Sequence, residues 1–122
     1  MAKIAPQLKA MIEDFVDSLA ADVVLERVFL WGGHVSGKPS EHSDIRLVVI
    51  SPSFEGKDRN ERLAVLAKHT LEVNPLLQAW GYTPQELLEA QSRQGGDPLL
   101  GMMLNKSREV FVRTPANPRM SR

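Results

Sequence analysis

Residues 43–51 of the chain, SDIRLVVIS, decide its fold. Branched apolar residues fill most of this segment, which predicts a strand. Side chains alternate between the two faces of a strand, so Asp44 and Arg46 share one face. The opposite face is apolar and consists of Ile45, Leu47 and Val49. Two opposite charges at the start of an otherwise apolar strand indicate a functional site.

A glycine-containing loop precedes this strand. Residues 23–31 become rich in β-branched and aromatic residues, which predicts an earlier strand, and the pair Gly32-Gly33 interrupts it. Residues 32–43 then hold glycine, proline, serine and histidine, a composition typical of a loop. We therefore expect two strands, adjacent in sequence and joined by this loop.

Helices and further strands are predicted on both sides of this pair. Apolar residues at spacings of three and four predict a helix over residues 4–20. N-cap residues followed by an acid or a proline predict helix starts at Asp58, Thr83 and Asp97. Two shorter strands are predicted at residues 76–82 and 109–112. The order α-β-β-α-β-α-α-β indicates an α+β fold, an α/β sandwich in which a mixed sheet of about four strands packs against helices.

The composition is that of an ordinary globular protein. We expect one domain over residues 1–113 and a flexible polar tail at residues 114–122. Fifteen basic and fifteen acidic residues cancel, so no clear patch for nucleic acid is expected. No apolar run is long enough for a membrane span, and no secretory signal is evident at the start. With no cysteine in the chain, we expect a cytoplasmic protein.

The glycine pair and the strand that follows carry a family resemblance. Gly32-Gly33, Gly37 and Ser43-Asp44-Ile45-Arg46 resemble the signature of the minimal nucleotidyltransferases, a branch of the polymerase-beta-like nucleotidyltransferase superfamily. In that signature, Gly-Ser ends one strand, a glycine follows four residues on, and Ser-Asp-x-Asp opens the next strand. The similarity extends over residues 15–112, including the segments 51–59, 73–78 and 81–84.

The resemblance implies transfer of a nucleotidyl group from ATP or another nucleoside triphosphate, with Mg²⁺ held by three carboxylates. Asp44 matches the first carboxylate, but Arg46 stands at the second position and Gln78 at the third. Gly33 replaces the serine of Gly-Ser. The positions that would contact the phosphates are Gly32, Gly33, Gly37, Lys38, Ser43 and Arg46.

Arg46 decides what we expect of this site. A guanidinium about 6 Å from a divalent ion repels it by about 5 kcal/mol at an effective dielectric constant near 20. We therefore predict that Arg46 either pairs with Asp44 or binds a phosphate, since its planar fork suits both. The protein is then a catalytically impaired module that binds a nucleotide or a protein. The resemblance implies a small helical HEPN-type partner, and a homodimer is the other possibility.

Two other readings stay open at this point. One is an active transferase that moves a nucleoside monophosphate from a triphosphate to a protein or small-molecule acceptor, with Glu41 or Glu55 rebuilding a metal site around Asp44. The other is an unrelated α+β domain that imitates the motif. A structure separates the two, because Asp44, Arg46 and Gln78 should line one cleft beside the glycine turn only in the family fold.

The other candidate residues have simpler explanations. His34 and His42 share the loop and are expected to be solvated rather than to bind zinc, and the loop serines lack the context of a catalytic triad. We expect core positions for Trp31, Trp80, Tyr82, Met102 and Met103. We expect a solvated face for Lys57, Arg59 and Arg62.

Overall fold

The computed structural model describes residues 5–36, 43–92 and 95–113. Its elements are α1 (Pro6–Leu19), β1 (Arg27–Trp31), α2 (Gly33–Ser36), β2 (Ile45–Ile50), a 3-10 turn (Pro52–Phe54), α3 (Arg59–Val73), β3 (Leu77–Tyr82), α4 (Pro84–Gln91), α5 (Pro98–Leu104) and β4 (Arg108–Val112). The predicted order of strands and long helices is confirmed. The expected tail at residues 114–122 lies outside the described residues.

Two local predictions were wrong. Residues 32–43 were predicted to form a loop, but they contain α2, a single helical turn. The glycine pair and the histidine in this segment gave no indication of a helix. The first strand begins at Arg27 rather than at residue 23.

The sheet is mixed and has four strands in the order β3-β2-β1-β4. β1 pairs antiparallel with β2 and with β4, whereas β2 pairs parallel with β3. This arrangement confirms the predicted mixed sheet. β3 and β4 are the edge strands, and the strand that carries Arg46 lies in the interior.

Helices cover both faces of the sheet. α1 and α3 pack on one face, and the core there includes Phe15, Leu19, Leu47 and Leu66. α4 and α5 pack on the other face through a smaller core, which consists of Phe29, Val48, Ile50, Tyr82, Leu87, Leu100 and Met103. Among the described helices, none has the length and apolar character needed to span a membrane.

Side-chain caps fix where the helices begin. Asp58 and Thr83 each form a reciprocal capping box with the glutamate three residues later, at the starts of α3 and α4. Asp97 accepts a hydrogen bond from a backbone N–H at the start of α5. All three predicted helix starts are therefore confirmed.

Candidate functional site

The predicted site residues meet at the end of the sheet where β1 stops and β2 and β3 begin. Arg46 lies opposite Trp31 of β1 and opposite Gln78 of β3, so these three side chains form one row across the sheet. The row is on the face that α4 and α5 cover, but their core lies further along the strands. The side chain of Arg46 consequently remains 41% exposed, and Gln78 is exposed.

Asp44 lies at the mouth of this row, immediately before β2. Its Oδ2 accepts a hydrogen bond from Nε2 of Gln78 at 3.2 Å. The same oxygen lies 3.7 Å from Nη2 of Arg46. The expected pairing of Arg46 with Asp44 is therefore present, and Gln78 donates to the same carboxylate oxygen.

Arg46 also contacts an aromatic pair. Its guanidinium carbon is 5.3 Å from the centroid of the Trp31 ring, within the range of a cation–π contact. The rings of Trp31 and Trp80 are 5.5 Å apart and inclined at 59°. Both indoles were expected in the core, and each is half-buried and packs against the edge of the smaller core on this face. Arg46 is therefore held between an acid and an aromatic wall.

The turn after β1 depends on Gly32 more than on Gly33. Gly32 has a φ of +87°, which side-chain-bearing residues rarely adopt, and a Cβ there would lie 3.3 Å from Cδ of Arg46. Gly33 has nothing within 4 Å of a built Cβ. The turn and the arginine thus pack directly against each other.

The residues around the loop are only partly described. Nε2 of His34 lies 3.4 Å from the carbonyl oxygen of Ser43, and both residues are half-buried. Gly37, Lys38, Glu41 and His42, which the sequence suggested for phosphate or metal contacts, lie outside the described residues.

The donor set around Asp44 does not fit the two-metal site that the sequence resemblance implies. Magnesium in phosphate-transferring sites is held by carboxylates, water and phosphate oxygens, and here Asp44 is accompanied by a guanidinium and an amide. Within residues 5–36, 43–92 and 95–113, no cluster of three or more His, Asp or Glu side chains could hold a metal ion. Glu55 follows the opposite end of β2, about 17 Å along the strand from Asp44. At that distance Glu55 cannot share a metal ion with Asp44.

Arg62 was expected to be solvated, and this prediction was wrong. Its side chain is only 13% exposed, and it forms two hydrogen bonds to the carboxylate of Glu86, of 2.7 and 3.2 Å. Burial alone would raise the pKa of Glu86, but hydrogen bonds from Arg62 and from the backbone of Thr83 outweigh it and lower that pKa. The helical spacing of Arg62 with Leu66 could have revealed its inward position.

A second polar cluster between α1 and α3 was missed entirely. Oγ of Ser18 is 2.7 Å from Nδ1 of His69, whose Nε2 is 2.6 Å from Asp22. The order Ser–His–Asp resembles a nucleophilic relay. However, Ser18 also donates to Glu72 at 3.2 Å, and that carboxylate would repel a developing oxyanion. The cluster therefore suits a tie between two helices better than catalysis.

Comparisons with known proteins identify the fold. Neither protein-family models nor curated proteins give a match. Among solved structures, a protein from Sulfolobus solfataricus, provisionally described as a nucleotidyltransferase, superposes with a TM-score of 0.65 at 12% identity, over 88% of this chain and 82% of that one.

Two toxin–antitoxin structures are also similar. One, with AMP-PNP, has a TM-score of 0.54 at 15% identity. The other, a mutant of the toxin–antitoxin MntA-HpeT, has a TM-score of 0.52 at 14% identity. Each alignment covers 88% of this chain and 78% of the other. These superpositions show that the chain has the nucleotidyltransferase fold.

Proposed function

We propose that this protein is a regulatory module built on the nucleotidyltransferase fold, which binds a protein partner and holds nucleotide phosphates without performing metal-dependent transfer. One observation carries the proposal. Both positions that should bring carboxylates to Asp44 bring N–H donors instead, from Arg46 and Gln78. A site of this kind favours an anion where the family places a cation.

Arg46 is the group best suited to contact a phosphate. A guanidinium binds phosphate oxygens with two parallel N–H groups, and here its side chain is 41% exposed at the mouth of the site. When Arg46 turns to an anion, Gln78 continues to donate to Asp44, so the acid keeps a partner.

The structural comparisons support the proposal that this chain binds a protein partner. Two of the similar structures are toxin–antitoxin complexes, in which a protein of this fold is found with a second protein. By analogy, we propose a protein partner for this chain. On the basis of the sequence resemblance, we propose that this partner is a small helical protein of the HEPN type.

Calorimetric titration with ATP, once with magnesium and once with EDTA, tests the site. We expect the same affinity in both, and at least a tenfold loss in Arg46→Gln, because one charge-assisted contact to phosphate is removed. Lys9→Gln, on α1, serves as the matched control and should leave the affinity unchanged. Binding that requires magnesium would refute the proposal. An absence of binding in both conditions would restrict the function to binding a protein.

A further inference from the structure

Among the strands that the structure describes, none pairs with the outer edge of β3. The carbonyl groups of Leu76 and Tyr82 accept hydrogen bonds from the backbone at either end of β2. Because backbone groups alternate along a strand, the odd-numbered residues Leu77, Ala79 and Gly81 direct theirs away from β2. β3 pairs with β2 alone in the described sheet, so Ala79 has both its N–H and its C=O at an open edge.

Arg62 closes one end of this edge. Its Nη1 donates to the carbonyl oxygen of Gly81 at 3.2 Å, while Nε donates to the carbonyl oxygen of Lys57 at 2.8 Å. The ion pair with Glu86 holds the guanidinium in this position. An added strand would therefore find its hydrogen bonds at Ala79 and not beyond Gly81.

An apolar groove runs beside the open part of the edge. It has a volume of about 370 Å³ and lies between β3 and α3. Its walls are largely apolar and include Leu63, Leu66, Ala67, Ala79 and Trp80. An unpaired edge next to an apolar groove is the arrangement that binds extended peptides by β-strand addition.

The groove continues into a charged cavity. This cavity has a volume of about 290 Å³ and shares Leu63 and Trp80 with the groove. Because the groove and the cavity share these two residues, one extended segment can contact both of them.

Three cations and three carboxylates line this cavity, and two of them, Arg62 and Glu86, form an ion pair with each other. Asp58 and Asp97 cap helices. Glu86 hydrogen-bonds to the capping residue of α4 and forms an ion pair with an arginine. Lys57 and Arg59 line the same cavity and have no ion-pair partner among the described residues. Because Asp58 and Asp97 already accept backbone N–H groups, Lys57 and Arg59 are the groups of this lining that can pair with an acidic side chain of a ligand.

We propose that the β3 edge, the groove and this cavity together bind an extended peptide segment of a partner protein, with an apolar side chain in the groove and an acidic side chain near Lys57 and Arg59. The rise per residue along a strand sets the spacing between the apolar and the acidic residue of the bound segment. From Ala79 to Tyr82 is about 10 Å, so the apolar and acidic residues are two or three positions apart. This surface rests on the partner binding of the proposed function and specifies where the partner binds, but it does not depend on what binds at Asp44.

Two hexapeptides with blocked termini test the proposal. In one, alternating threonine and valine residues are followed by two aspartates. In the other, the same residues are followed by two lysines. Binding is followed by NMR on the full chain. We expect the aspartate peptide to bind at least tenfold more tightly and to slow hydrogen exchange at the amides of Ala79 and Gly81. The double variant Lys57→Glu, Arg59→Glu should reverse the preference, whereas Lys9→Glu should not.

The exposed Ala67 provides a second test that leaves the cations intact. Ala67→Glu should abolish binding of the aspartate peptide, with the circular dichroism of the fold unchanged. Equal binding of the two peptides, or no binding of either at millimolar concentration, would overturn the proposal. A dimer that Ala67→Glu dissociates would assign the groove to a second copy of the chain and overturn it as well. None of these outcomes involves ATP or magnesium, so they are independent of the test of the proposed function.

Discussion

Replacing Arg46 by aspartate should create a magnesium site at Asp44. A bound ion lies about 2.1 Å from a carboxylate oxygen, and Nη2 of Arg46 lies 3.7 Å from Oδ2 of Asp44. The ion and the guanidinium are therefore at most about 6 Å apart. At that distance one unit charge changes the energy of a divalent ion by about 5 kcal/mol at an effective dielectric constant near 20.

Solvent reduces this value. The side chains of Arg46 and Asp44 are 41% and 39% exposed, and an effective dielectric constant of about 40 halves the energy to about 2.5 kcal/mol per unit charge. Arg46→Gln removes one charge and should raise magnesium affinity on the order of a hundredfold. Arg46→Asp changes the charge by two units and adds a ligand, so it should raise the affinity by at least several thousandfold.

Calorimetry with magnesium and electron paramagnetic resonance with manganese would measure these affinities in the native chain and both variants. Lys9→Asp, on α1, makes the same charge change away from the site and should have little effect. Equal metal affinity in Arg46→Gln and Arg46→Asp would refute the electrostatic reasoning. Tight magnesium binding by the native chain would do the same.

Three further predictions concern stability, measured by urea denaturation. Gly81→Ala should destabilise the fold by about 1–3 kcal/mol, because its Cβ would lie 2.7 Å from the ring of Phe54; Gly101→Ala, with nothing within 4 Å, should instead stabilise α5 by up to about 1 kcal/mol. Glu86→Gln should cost about 2 kcal/mol by leaving a largely buried arginine without its counter-charge, and a neutral result would make that ion pair dispensable. Hydrogen bonds from its histidine and lysine neighbours lower the pKa of Asp22; the stability this provides is present at neutral pH and is lost as the pH falls through the lowered value. Asp22→Asn should therefore flatten the acid limb of the stability curve, and an unchanged limb would contradict this.

The helix starts could be predicted because the caps are local. Asp58, Thr83 and Asp97 bond to backbone groups two or three residues away, so sequence spacing contains the whole interaction. The helical turn α2 could not, because four residues carry no periodic pattern. Here packing and the preceding turn decide the conformation.

Of the contacts that Arg46 makes, the pairing with Asp44 could be predicted from the sequence, but the contact with Trp31 could not. The family signature selects Asp44, Arg46 and Gln78, and the structure brings them together. That Arg46 also contacts Trp31 follows from the register of β1 on β2, which depends on pairing between distant segments and not on local sequence. The burial of Arg62 was missed because a charged residue is expected in solvent, and this expectation was preferred to the inward position that its helical spacing indicates.

The aromatic pair beside Arg46 makes the molecule its own optical reporter. The chain has two tryptophans, and both are in this pair. Indole emission responds to nearby charge and polarity, so nearly all the intrinsic fluorescence of the protein originates next to its candidate site. A ligand that draws Arg46 away from Trp31 changes that emission, and a segment in the groove reaches it through Trp80. Occupancy at either surface can thus be read from the unlabelled protein.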